Sequence, residues 1–179
     1  MSRQAAKPDY SILIVADDLK VSLPPLIKRG SKFAAILQIH ANWKVFVVDK
    51  LGKIKEDAKY NKDMNLTGEF NGKVLAFVHG QYGDNSSPYL FVQYSVPSKK
   101  TPGKMIHKYA DVKAKIIEFA KNAGVTRFYT AACGSGEHSG YFEEQLGLES
   151  GTVKGYQSNT SVSALGAFAN EIKTHLFPK

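Results

Sequence analysis

The run Tyr10-Ser-Ile-Leu-Ile-Val-Ala16 is apolar at almost every position rather than at every second one. A strand with one wet face alternates apolar and polar residues. An unbroken apolar run rich in branched side chains marks a strand buried on both faces. Similar runs recur at Trp43–Lys50, Lys73–His79, Tyr89–Val96 and Arg127–Cys133, with shorter ones at Ile54–Glu56 and Thr152–Gln157. Apolar residues at helical spacing occupy Leu26–His40, Met105–Ala123, Tyr141–Leu146 and Val162–Phe177. Pro24-Pro25 stand near the start of the first of these helices, Gly30 weakens it, and Gly124 ends the second. Asp57–Asn71 reads as a loop with an edge strand near Leu66. Strands alternating with helices predict an α/β fold, with a mostly parallel central sheet and helices on both faces.

No repeat, low-complexity stretch or linker divides the chain, and 179 residues fit one domain with a substantial core. That domain is expected over residues 10–179, behind a flexible leader of residues 1–9 without the apolar segment of a secretory signal. No stretch reaches the roughly 18–20 apolar residues of a membrane-spanning helix. A single cysteine excludes an internal disulfide and suits a reducing compartment. The cytoplasm, or a host cytosol into which the protein is delivered, would meet that condition. The 24 Lys and Arg against 16 Asp and Glu leave a formal charge of +8, which attracts anionic partners. Aromatic residues sit inside the apolar runs rather than among the basic residues, so a nucleic-acid module is not expected.

The reactive side chains concentrate at two strand ends. Lys73-Val-Leu-Ala-Phe-Val-His79 is followed by Gly80, and Arg127-Phe-Tyr-Thr-Ala-Ala-Cys133 is followed by Gly134. In open α/β sheets, ligands bind beyond the carboxyl ends of the strands. A thiolate there is a strong nucleophile, and a neighbouring imidazole can generate it near neutral pH. Glycine allows the tight turn that aims backbone N–H groups at a developing oxyanion. His79 is thus the candidate base and Cys133 the candidate nucleophile, with the N–H groups of Gly80 and Cys133 as oxyanion donors. Taken singly, each residue has a plainer reading: a cysteine after a strand is commonly a small buried hydrophobe, and a strand-end histidine a satisfied polar cap. Asp17, Asp18, Gln81, Asp84, Ser135, Glu137 and His138 are the candidate cleft residues around the pair. His40, His107 and His175 lack a comparable glycine-flanked strand end.

Other chemistries fit less well. Zinc requires more closely spaced Cys or His ligands than Cys133 and His138 supply, so no metal is expected. The loop Gly134-Ser-Gly-Glu-His-Ser-Gly140 has neither the arginine of a thiol phosphatase nor the lysine of a nucleotide-binding P-loop. Its glycines and the helix start near Tyr141 still suit an anion.

An apolar strand ending in His-Gly, a helix, and an apolar strand ending in Cys resemble the caspase-like cysteine peptidases in content and order. The spacing of 54 residues between His79 and Cys133 (133 − 79) is similar to the roughly 50 of caspases. Val45-Phe-Val-Val-Asp-Lys-Leu-Gly-Lys-Ile54, Leu75-Ala-Phe-Val-His-Gly80 and Tyr129-Thr-Ala-Ala-Cys-Gly-Ser135 look most like the self-cleaving protease domains of large bacterial toxins. The resemblance implies a caspase-like three-layer sandwich over roughly residues 10–160. It also implies a cleft-bordering strand at Val153-Lys-Gly-Tyr-Gln-Ser-Asn159 and a toxin or effector role. The toxin domains are activated by inositol hexakisphosphate held partly by a β-hairpin flap. Only 46 residues follow Cys133 here (179 − 133), and the last 16 or so read as a helix, which leaves the flap without a place. No cofactor is expected to be required, and inositol hexakisphosphate stays a candidate activator that the missing flap speaks against. Ala131-Ala132 stand where caspases carry Gln-Ala, so their preference for aspartate is not carried over.

The leading expectation is a cysteine endopeptidase with a Cys–His dyad acting on a protein or peptide substrate. The alternative is a non-catalytic α/β protein that holds a phosphorylated small molecule or a nucleic acid on its basic surface and glycine-rich loop. A degenerate peptidase with a regulatory role is a third reading.

Overall fold

The computed structural model describes residues 9–27, 31–37, 42–61, 68–80, 89–133, 135–156 and 168–179. Its centre is a six-stranded sheet of β1 (Tyr10–Ala16), β2 (Trp43–Val48), β3 (Ile54–Glu56), β4 (Phe70–Phe77), β7 (Arg127–Thr130) and β8 (Val153–Gly155). The spatial order is β3-β2-β1-β4-β7-β8. Every pairing is parallel except that of β2 with β3. A separate antiparallel hairpin contains β5 (Phe91–Pro97) and β6 (Met105–Asp111).

Six helices accompany these strands among the described residues: α1 (Leu23–Ile27), α2 (Lys32–Leu37), α3 (Ala58–Asn61), α4 (Lys113–Ala123), α5 (Ser139–Leu146) and α6 (Ala169–Leu176). The apolar runs explain the layering. Successive residues of a strand point to opposite faces, so an unbroken run feeds two cores. Leu13, Val15, Leu75, Phe77 and Tyr129 enter one cluster with Phe33 and Leu37 of α2 and Ile172 and Leu176 of α6. Ile12, Ile14, Val74, Ala76 and Phe128 enter the other with Ile116 and Ala120 of α4 and Phe142 and Leu146 of α5. The sheet is therefore covered on both faces.

The largest departure from expectation is Met105–Ala123, which is not one helix. Its first seven residues form β6, and only Lys113–Ala123 is helical. Ile106, Tyr109 and Val112 mimic a helical face by their threefold spacing, but the cross-strand partner decides the outcome. Ser98 N–H donates to the Lys104 carbonyl, the Ser98 hydroxyl accepts from the Lys100 and Thr101 N–H groups, and Gly103 takes a left-handed φ of 80°. This turn folds Met105–Asp111 back on Phe91–Pro97. The strand at Tyr89–Val96 consequently lies outside the main sheet.

Smaller corrections follow the same logic. In place of one Leu26–His40 helix there are α1 and α2, and α1 carries Pro24 and Pro25 in its first turn, where missing N–H groups cost nothing. The loop at Asp57–Asn71 contains α3, whose first turn is capped by Asp57 Oδ1 accepting from Lys59 and Tyr60, and it ends in the first residues of β4. The expected edge strand near Leu66, His40 and the stretch Val162–Gly166 lie outside the described residues, as does nearly all of the leader. No helix among the described residues is long and apolar enough to cross a membrane.

Candidate active site

Three adjacent strands of the sheet end at the same edge. After β1 the chain enters a 3₁₀ segment, Asp17–Ser22, that carries Asp18. After β4 it reaches His79 and Gly80, and after β7 it reaches Cys133. The parallel register pairs Ala76 with Thr130, and the ladder continues through Ala131 N–H to the Ala76 carbonyl at 2.8 Å. His79 and Cys133 each lie three positions beyond that pair. Both strands stop short of them, β4 at Phe77 and β7 at Thr130, and the turn at Ala132-Cys133 brings the Cys133 backbone against Gly80.

The two strand ends touch. A β-carbon built on Gly80 would fall 2.3 Å from the Cys133 carbonyl oxygen and 2.9 Å from the Cys133 nitrogen. Only glycine lets these two backbones approach so closely. Cys133 is partly exposed.

His79 is oriented from two sides. Its Nε2 is hydrogen-bonded to Asp18 Oδ2. The other Asp18 oxygen, Oδ1, accepts the Gln93 N–H at 3.1 Å, so β5 fixes the carboxylate. The His79 backbone also exchanges two hydrogen bonds with Phe91, at 3.1 and 2.8 Å, and Tyr109 sets its ring edge-on to the imidazole at 6.3 Å. The His79 and Asp18 side chains are 27% and 24% exposed, so solvent reaches the pair.

The loop after Cys133 is pinned to β8. Ser135 is buried, and its hydroxyl donates to backbone carbonyls of Thr130 and Ala132 and receives the Thr130 hydroxyl. Gly136 N–H donates to the Tyr156 carbonyl, and Tyr156 N–H to that of Thr130. Val153–Gly155 thus pairs with β7, and the residue after it holds the loop that follows Cys133.

Of the described candidate cleft residues, the structure brings only Asp18 to His79. Ser135 is a structural strut rather than a cleft residue, because its hydroxyl is consumed by the loop that holds Cys133. Asp17 turns away and borders an open depression of about 450 Å³ with Lys20, Asp49, Lys53 and Asp57. Glu137 is exposed and His138 half-buried in the 3₁₀ turn Ser135–His138, and neither joins the Asp18–His79 pair. Gln81, Asp84 and Gly134 lie outside the described residues. His107 opens no helix; it sits in β6 against Gln93 and Ser95.

His175 is a buried structural group. Its Nε2 faces the carbonyls of Phe128 and Thr152 at 2.9 and 3.1 Å, and its Nδ1 faces the Arg127 guanidinium at 3.4 Å. Two carbonyls require a proton on Nε2, and the guanidinium requires a lone pair on Nδ1. Burial, reinforced by the Arg127 charge, holds this histidine below its ordinary pKa.

Sequence reading missed the role of Gln93 and Tyr109 because it assigned their partners to the wrong elements. The cross-strand pairs Gln93–Tyr109 and Phe91–Asp111 come from strands that no local signal joined. Among the described residues, no group of three or more His, Cys, Asp or Glu gathers as metal ligands would. No family model, curated protein or solved structure matches the chain.

Proposed function

We propose that the protein is a cysteine peptidase whose nucleophile is Cys133 and whose general base is His79, with Asp18 as the group that orients the imidazole. One observation carries this reading: the ends of β1, β4 and β7 deliver a carboxylate, an imidazole and a thiol to one edge of the sheet, with Gly80 against the Cys133 backbone. Asp18 occupies Nε2, so Nδ1 is the nitrogen that exchanges a proton with the thiol. The thiolate attacks the peptide carbonyl, and the N–H groups of Gly80 and Cys133 support the oxyanion. His79 passes its proton to the leaving amine, then activates the water that releases the acyl group. The caspase-like sandwich belongs to the same proposal and is supported by the strand order and the two helical layers.

Incubation with an unfolded, fluorescently labelled protein tests the reading. Cleavage by the wild-type chain should disappear after alkylation of Cys133 or in Cys133→Ala. A wild-type protein with an alkylatable thiol that cleaves nothing, or a Cys133→Ala variant that cleaves as fast, would sink it. The alternative, a non-catalytic binder of anionic ligands, draws on the +8 charge, while in its glycine-rich loop the Ser135 hydroxyl and the Gly136 N–H are already directed to backbone carbonyls.

A further inference from the structure

We infer that the outer edge of β6 is a docking site for an extended acidic polypeptide segment, which adds to the β5–β6 hairpin as a third strand. Every residue of β6 except Ala110 is exposed. Among the described residues the hairpin contains β5 and β6 alone, so β6 has no second neighbour. In an antiparallel ladder, half of an edge strand's N–H and C=O groups point away from its partner, and they form a template for another chain.

The edge is preformed. Leu90 and Val92 are buried in the main core, the His79–Phe91 bridge ties β5 to the sheet, and Val112 N–H donates to the Leu90 carbonyl at 2.8 Å. Lys50 lies 5.0 Å from the Tyr94 ring on the opposite face. A segment adding to β6 therefore meets a rigid surface and pays little for ordering it.

Side chains define the occupant. Met105, Ile106 and Tyr109 are 51%, 44% and 57% exposed, an unusual apolar content for a solvated strand. Around them stand Lys99, Lys100, Lys104 and Lys108, against the single carboxylate Asp111. A second copy of the chain would bring the same four lysines to the seam, and like charges facing one another are costly. An acidic strand that alternates with apolar residues satisfies both features. Such a strand would lie three strand spacings from the His79 backbone, roughly 14 Å, through β5 and β6. The site shares Tyr109 with the surroundings of His79, but backbone pairing along the outer edge of β6 does not depend on the chemistry of the thiol.

Fluorescence anisotropy with the intact protein tests the inference, using a short labelled peptide that alternates Glu with Val and Thr. The peptide should bind more tightly at low salt than at high salt. It should lose about tenfold or more of its affinity to the double variant Lys104→Glu/Lys108→Glu, a difference of about 1.4 kcal/mol. Both lysines are exposed, so the variant keeps its fold, and its far-ultraviolet circular dichroism checks that. N-methylation of alternate peptide nitrogens should abolish binding by removing the strand-pairing donors. Equal binding of the Gln counterpart, unchanged affinity in the double variant, or indifference to N-methylation overturns the inference. So does binding to vesicles containing phosphatidylserine with none to the peptide, which would make the basic edge a membrane surface.

Discussion

Gly80 has no room for a β-carbon, because the carbonyl oxygen of Cys133 stands 2.3 Å from where that atom would be. This contact joins the ends of β4 and β7 more closely than the spacing of a sheet alone requires. It places the residue after the candidate base against the backbone of the candidate nucleophile.

Gly80→Ala should therefore damage stability and site together. The obstructing atoms are backbone, which cannot swing aside, so the two strand ends must separate. A loss of about 1–3 kcal/mol is expected, in the range of overpacked cores. Urea denaturation measures the loss, and the alkylation rate of Cys133 reports the change at the thiol. A fully stable Gly80→Ala protein would show that the two ends can part without cost.

Asp18→Asn separates orientation from charge. Asn keeps an oxygen for the Gln93 N–H and the side-chain shape, so the fold should hold, but it removes the carboxylate that His79 meets. On the proposed mechanism, peptide cleavage should fall by on the order of 100-fold, the scale of a misoriented general base. A single-turnover assay with equal stability in both proteins would isolate the effect.

Glu143 is a structural carboxylate with a measurable role. It is buried on α5, and its Oε2 accepts the N–H groups of Gly151, Thr152 and Val153 at 2.6, 3.0 and 3.2 Å. Those bonds hold the turn into β8 against the helix. Glu143→Ala takes this acceptor from all three donors, of which Thr152 N–H keeps a 3.3 Å bond to the Glu149 carbonyl, and should cost about 2–4 kcal/mol by urea denaturation. Glu143→Gln, which retains one oxygen, should cost less.

His175 makes stability depend on pH. Its folded pKa lies below the ordinary value near 6.5 because burial disfavours the charged ring. Below that value the unfolded chain binds the proton more readily than the folded one. The contribution is full above about pH 6.5 and is lost as the pH falls from there through the folded pKa. The urea midpoint should drop as the pH falls below about 6.5, and His175→Gln should show a shallower drop there whatever its absolute stability.

How far the chain could be read in advance differs from element to element. Tyr10–Ala16 declared its burial on both faces through an unbroken apolar run, and β1 indeed feeds two cores. His79 and Cys133 stood out for a related reason, since glycine after an apolar strand is visible along the chain. Met105–Asp111 could not be read this way. Its spacing satisfies a helix and a strand alike, and the deciding partner, Phe91–Pro97, lies across a turn.

Composition and apolar patterning by themselves determined that this chain builds an α/β sheet with reactive groups at the ends of two strands, because burial and periodicity are properties of neighbouring residues. Tertiary structure alone decided that Asp18, among the five described candidate cleft residues, meets His79, that Ser135 is a strut, and that β5 supports the carboxylate. Those outcomes depend on strand order and parallel register. Pairings between residues distant along the chain, such as Ile12 with Val74 and Ala76 with Thr130, set these, and no local pattern encodes them.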